Sequence, residues 1–273
     1  MLYIVATPIG NLEDITLRAL KVLQSCDYIL AEDTRKSSFL LQHYNIKKPC
    51  KSFHKFSEKK QLFSLVEDLE NQKNIALISD AGTPLICDPG LSLIQVCIEK
   101  NLPFTSIPGP SSVIQALVLS GLATLPFQFV GFLPKKNQEK TKFLQKMLFY
   151  SGTSIAFETS KRLLDTLSIL KNLDPQKKIV VTRELTKIFE QHIQASSTEL
   201  FDYFTKNPPK GEIVLLFEGQ EFSSSIDENQ LFSLLQEHGL SQKEALKILA
   251  SYKKISKNDL YKKILIKQST TLP

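Results

Sequence analysis

The chain has 273 residues, 42% of them hydrophobic and 23% charged, with ten Gly and thirteen Pro; that balance excludes a disordered, collagen-like or low-complexity chain and predicts about two domains with real cores. No apolar run reaches the ~18 to 20 residues of a bilayer span, and the sequence starts directly on Leu2-Tyr3-Ile4-Val5, so a soluble, unexported protein is expected. Of the net charge of +6, eight Lys against Glu237, Glu244 and Asp259 place +5 in residues 229–273, a basic tail on a near-neutral body. Such a tail points to a polyanionic partner, nucleic acid most simply, with a solvated Lys-rich helical face as the alternative.

From the start, short β-rich runs alternate with helix-length periodic stretches. Residues 2–6, 28–31, 75–79 and 104–107 read as buried strands, and helices are predicted near 15–25, 35–44, 58–71 and 90–101. A further helix over 111–120 follows Pro108-Gly109-Pro110, with Ser111 as its N-cap. After a loop at 121–126 the alternation resumes: strands near 127–132, 154–157, 178–182, 189–195 and 212–217, and helices near 138–149, 161–172 and 198–206. The polar stretch 219–229 reads as a linker. Three short helices follow, near 231–237, 242–250 and 257–267, with Ser241 and Ser256 as N-caps. The expected division is an N-terminal α/β domain (1–121), a second α/β domain (122–220) and a small basic helical domain of helix-turn-helix proportions (229–273).

Cys26, Cys50, Cys87 and Cys97 are widely spaced without a Cys-x-x-Cys, and His43, His54, His192 and His238 are isolated. Reduced thiols in a cytoplasmic compartment and no bound metal are therefore expected. No Gly-x-Gly and no Gly-x-x-x-x-Gly-Lys occurs, so neither a dinucleotide nor an ATP cradle is supported. At the C-terminal ends of the predicted strands stand instead loops at 6–12, 31–35, 79–84 and 108–112, three of which contain Pro. In an open α/β sheet those ends bind ligands. Proline lacks an N–H and fixes φ, so such loops present carbonyls on a rigid frame rather than an anion nest. They suit a cationic or neutral ligand such as S-adenosylmethionine, whose methyl can be oriented by C–H···O contacts. Each loop taken singly also serves as a plain strand-ending turn.

The series TPIGNLEDIT (7–16), AEDTR (31–35), SDAGTPLICDPG (79–90), PGPSS (108–112), VGFLPKK (130–136), RELTK (183–187) and GEIVLLFEG (211–219), with SKNDLYKKIL (256–265) in the tail, resembles the ribosomal RNA small subunit methyltransferase I family of the tetrapyrrole-methylase superfamily. The resemblance implies a two-domain α/β, class III methyltransferase fold with a small C-terminal helical domain. It implies S-adenosylmethionine held between the domains, a homodimer, and 2'-O-methylation of a cytidine ribose in the decoding region of 16S rRNA, with the small ribosomal subunit as partner. Carried over residue by residue, it implies that Pro8, Asp80, Thr83, Ser111, Ser112, Phe157 and Glu158 line the cofactor. The sequence departs from the family pattern at Val130, where an acidic residue is frequent, and at Ala156, where an aromatic is common.

Methylating a ribose hydroxyl requires aligned atoms and an acceptor for one proton. Asp33 and Arg35, two residues apart past a strand end, are the candidate acceptor and ribose or phosphate clamp, or else a pair that only shapes the loop. Lys161, Arg162, Arg183 and Lys187 repeat the pattern of charges at strand ends in the second domain and suit contacts to an RNA backbone, as do Lys257, Lys262 and Lys263 in the tail. Two alternatives stay open from the residues: a corrin or porphyrin-precursor methyltransferase, for which a basic tail has no evident use, and a ligand-sensing nucleic-acid-binding regulator.

Overall fold

Five short strands, β1 (Leu2–Val5), β2 (Tyr28–Ala31), β3 (Cys50–Ser52), β4 (Ile75–Ile78) and β5 (Phe104–Ile107), form an all-parallel sheet in the order β3-β2-β4-β1-β5. The structure, a computed structural model, describes residues 1–55, 57–219, 232, 236, 241–253, 256 and 260. β2 and β4 are buried along their whole length, as parallel strands covered on both faces must be. Alternate side chains sort to opposite faces. Ile29, Ala31, Ala76 and Ile78 pack with Ala19, Leu23 and Leu41 of α1 (Leu17–Ser25) and α2 (Thr34–His43). Tyr28, Leu30, Ile75 and Leu77 pack with Leu65, Leu69, Leu93 and Cys97 of α3 (Glu58–Glu70) and α4 (Leu91–Glu99).

This order places a functional crevice. β1 and β4 are neighbours, yet β1 leads to α1 on one face and β4 to α4 on the other. Their loops diverge at the C-terminal ends, which is the topological switch point where open α/β sheets take ligands. The two loops are tied across it, Thr7 N–H donating to the Gly82 carbonyl at 2.9 Å and Gly82 N–H to that of Thr7 at 3.0 Å.

The second sheet has the order β6-β7-β10-β8-β9, from β6 (Phe127–Phe132), β7 (Thr153–Thr159), β8 (Lys178–Arg183), β9 (Gln191–Ser196) and β10 (Glu212–Glu218). Only β6 and β7 run parallel; the other pairs are antiparallel. One face packs Ala156, Val181, Ile213, Leu215 and Phe217 against α6 (Asn137–Leu148), α7 (Leu163–Leu173) and α8 (Ser197–Lys206). The other face packs Ile155, Val180, Val214 and Leu216 against Val113, Ala116 and Leu117 of α5 (Ser112–Ser120) and against Ile9 of the β1 loop. Thus α5 follows the first sheet in the chain but covers the second. That contact brings the switch point up to β7 and β10.

Residues 1–220 form one compact unit containing both sheets, and residues 221–273 a second. In the latter, α9 (Gln242–Lys253) is capped reciprocally: Ser241 N–H donates to Glu244 Oε2 at 3.0 Å, and Glu244 N–H to Ser241 Oγ at 3.4 Å. Phe232, Ala245, Leu246, Leu249, Ala250 and Leu260 make a small apolar cluster. The remainder of the predicted helices at 231–237 and 257–267, with Lys257, Lys262 and Lys263, lies outside the described residues.

Candidate active site

A cavity of about 390 Å³ opens at the switch point. The loop after β4 forms one wall, contributing Asp80 to Thr83 and Ile86 to Asp88, with Glu32 after β2 and Ser111 to Val113 at the start of α5. Phe132 of β6, Phe157 to Thr159 of β7, the following Ser160, Leu185, and Gly211 to Val214 form the opposite wall.

The β4 loop is wound tightly. Ser79 Oγ donates to the Ala81 and Gly82 carbonyls at 3.2 and 3.1 Å, and Thr83 Oγ1 to the Pro110 carbonyl at 3.3 Å. Gly82 has φ +76°, and a Cβ there would meet Ile9 Cγ2 at 3.3 Å, so a bare backbone is needed at this point of the wall. Leu85 and Cys87 hold φ of 75° and 77°, a conformation costly for residues with a Cβ. Strain of this kind persists where surrounding structure over-determines it, and here it turns Ile86, Cys87 and Asp88 onto the cavity wall.

Five carboxylates line the cavity: Glu32, Asp80, Asp88, Glu158 and Glu212. Asp80 accepts Asp33 N–H at 3.1 Å and pairs with Lys36 at 2.7 Å, so it ties the β4 loop to the β2 loop. Glu212 pairs with Lys187 at 3.0 Å. The fully buried Glu158 carboxylate meets Arg162 at 2.7 Å, Thr166 Oγ1 at 2.6 Å and the buried Lys140 at 3.7 Å. Asp88 is different. Burial first, and then the negative charges of Glu32 and Asp80, push its carboxyl up to about 6, against smaller opposing effects from a Ser79 hydrogen bond and Lys55.

The residues singled out from the sequence separate into three groups. Asp80, Thr83, Ser111, Ser112, Phe157 and Glu158 meet at the cavity, whereas Pro8 stands one residue before the lining Ile9. Ser111 is the N-cap residue of α5, but its hydroxyl makes no bond to the helix. Asp33 and Arg35 are not on the cavity wall. Asp33 caps α2, accepting Arg35 N–H at 3.0 Å, and grips the Arg35 guanidinium at 3.1 and 2.8 Å. Those bonds hold its carboxyl down at about 2. Of the second-sheet cations, Arg162 donates to the Leu133 carbonyl as well as to Glu158, Arg183 bonds Gln191 and the Lys210 carbonyl, and Lys187 bridges Glu184 and Glu212. Lys161 is exposed just past the lining Ser160. Glu32, Asp88, Phe132 and Glu212 were not anticipated. Each lay inside a quoted motif, but an acid in a loop or a Phe in a strand looks the same in sequence whether it faces solvent, core or cavity.

Residues 1–200 match the family model described as Tetrapyrrole (Corrin/Porphyrin) Methylases. The chain is 42% identical over 267 residues to the ribosomal RNA small subunit methyltransferase I of Pasteurella multocida (strain Pm70), covering 96% of this chain and 95% of that one. The protein of the same name from Synechocystis sp. (strain ATCC 27184 / PCC 6803 / Kazusa) is also 42% identical, over 268 residues and 96% of both chains. In fold it is similar to a diphthine synthase (TM-score 0.63, 13% identity, 80% of this chain and 89% of that one). It is likewise similar to a cobalt precorrin-4 methyltransferase (TM-score 0.56, 18% identity, 80% and 94%). The two-sheet α/β fold, the switch-point cavity and the near-complete match in length agree: the chain belongs to the tetrapyrrole methylase family and, within it, to the ribosomal RNA small subunit methyltransferase I family.

Proposed function

We infer that this protein uses S-adenosylmethionine to methylate 16S rRNA of the small ribosomal subunit, at a cytidine ribose 2'-hydroxyl in the decoding region, and that it does so in the cytoplasm as a homodimer. One observation carries the choice of RNA over a tetrapyrrole: the 42% identity to ribosomal RNA small subunit methyltransferases I extends over 96% of this chain. The cofactor is supported by the chemistry of the wall. Carboxylates, a bare Gly82 backbone and serine hydroxyls suit a ligand with a sulfonium and an ammonium and no phosphate.

Asp80, Thr83, Ser111, Ser112 and Phe157 are the residues that would hold S-adenosylmethionine, with Pro8 stiffening the loop behind Ile9. When bound, it supplies an electrophilic methyl group on a positively charged sulfur. Glu158, fully engaged by Arg162, Thr166 and Lys140, holds the end of β7 in place. Forming the ether at the 2'-oxygen releases the hydroxyl proton. Asp88 accepts it, since a cavity carboxylate near pKa 6 is ionised at pH 7 and still basic enough to share a proton. Asp33, held near 2 and bound to Arg35, is a far weaker base. Lys161, with Lys257, Lys262 and Lys263 of the tail, contacts RNA phosphates.

The test is transfer of labelled methyl to small subunits from cells lacking the protein, followed by mass mapping of ribose methylation. Label on one decoding-region cytidine is expected. Label absent from rRNA, or transferred to a porphyrin precursor offered alongside, removes the assignment. Sedimentation at micromolar concentration tests the dimer.

A further inference from the structure

Phe132 lines the cavity, yet it is 55% exposed. Exposed apolar side chains are common and alone mean little, but the local backbone is built to put this one where it is. The pairing of β6 with β7 slips between Phe129 and Phe132, and Gly131 within the slip has φ +72°. Such a bulge re-aims the side chain that follows it and is frequent beside active sites. A Cβ on Gly131 would come within 3.3 Å of Cys87 Sγ in the β4 loop. The ring is also buttressed. Phe157 meets Phe132 edge-on at 5.3 Å and 62°, and itself rests on Phe129 at 4.8 Å and 64°.

The surroundings define what the ring would receive. β6 and β7 are parallel neighbours with Phe132 opposite Phe157, so the segments that follow leave the sheet at the same end. They carry Lys135 and Lys136 after β6 and Lys161 after β7, all exposed. Lys136 has a partner in Glu139 at 3.5 Å, but both side chains are mostly in solvent and the pair is weak. A half-exposed apolar ring on the cavity wall, with exposed lysines on the segments that follow its strand and the neighbouring one, matches a nucleobase flanked by phosphodiesters. S-adenosylmethionine also has a base, but no phosphate for those cations to meet.

We propose that Phe132 is the platform on which the base of the target nucleotide stacks, with Lys135, Lys136 and Lys161 holding the phosphates beside it. This rests on the cavity being the site of rRNA methylation, and it adds the residue that seats the nucleotide. Stacking tolerates many bases, so the platform positions the nucleotide and the RNA fold selects it.

The experiment compares wild type with F132A, F132L and F132Y, measuring kcat and KM for undermethylated small subunits and, by calorimetry, the Kd for S-adenosylmethionine. F132A and F132L are expected to raise the subunit KM about 10-fold or more, F132Y to stay within about 2-fold of wild type, and cofactor affinity to hold in all three. A loss of cofactor affinity in F132A equal to the change in KM makes the ring a cofactor wall and overturns the proposal. So does an F132L variant indistinguishable from wild type, which would mean simple apolar packing. In K135A/K136A/K161A the log–log salt dependence of subunit binding should become shallower by about 2, and an unchanged slope removes the phosphate contacts. A wild-type protein that transfers no methyl to rRNA overturns the underlying assignment as well, a result separate from any of these variants.

Discussion

Asp33 and Asp88 stand on loops at the same edge of the first sheet, one with its carboxyl near 2 and the other near 6. The cause is local: Asp33 is offered three N–H donors by Arg35, whereas Asp88 is pressed into the cavity beside Glu32 and Asp80. Methyl transfer should therefore fall as pH drops through about 6, as Asp88 takes up a proton before substrate can offer one. Asp88→Asn should lower kcat by ~10²-fold or more and abolish that pH limb, while leaving calorimetric cofactor affinity in place. The same substitution should stabilise the protein. Because its folded carboxyl is raised, ionising Asp88 costs stability progressively between its unfolded value of about 4 and its folded value of about 6, and fully above. Melting of the variant should thus exceed that of the parent at pH 8, and the gap should close towards pH 4. A variant with unaltered pH dependence and unaltered melting would show that Asp88 neither takes the proton nor bears that cost. Motif reading placed Asp88 inside SDAGTPLICDPG but had no means to rank it above Asp80 or Asp33, since acidity here is set by burial and by charges from other loops.

At the level of elements, the inner parallel strands were legible because each is a short apolar run between turn residues, and β2 and β5 have the bounds read for them; β5, however, is not the buried strand expected, because it lies at the sheet edge with Phe104 and Ser106 exposed. The edge strand β3 was not legible: Cys50-Lys51-Ser52 is too short and too polar to show a period, and its pairing with β2 makes it a strand. Phe189 reads as the start of a strand, but it and the preceding Ile188 sit 70% and 92% exposed in the turn entered through left-handed Glu184 and Thr186, and β9 begins only at Gln191. The most consequential element contact was invisible in sequence. Lys140 of α6 and Thr166 of α7 converge on Glu158 of β7, with Lys140 Nζ donating to Thr166 Oγ1 at 3.1 Å, so two helices and a strand share one buried charge cluster next to the cavity. Lys140→Met removes one cation from a fully buried carboxylate and should cost about 3 kcal/mol in urea denaturation. A cost below about 1 kcal/mol would mean that Arg162 and Thr166 satisfy Glu158 without it.

For the whole molecule, both sheets belong to one unit because α5 and the β1 loop pack on the second sheet, and that packing closes the cavity. The charged tail belongs to the other unit. If its lysines meet RNA phosphates, replacing Lys257, Lys262, Lys263 and Lys267 with Ala should make the log–log salt dependence of subunit binding shallower by roughly 3 while leaving cofactor affinity unchanged. An unaltered slope would assign RNA binding to the body alone. Length, hydrophobic period and turn chemistry by themselves determined an α/β protein whose ligand loops end parallel strands, because these are properties of neighbouring residues. Which acids share a cavity, which of them is raised to titrate near 6, which cations are consumed inside the fold and which half-exposed ring lines the cavity were decided by tertiary structure alone. The physical reason is that desolvation and charge act across distances of a few ångströms between residues as far apart in sequence as Glu32, Asp88, Phe132 and Glu212, and only the folded chain brings them together.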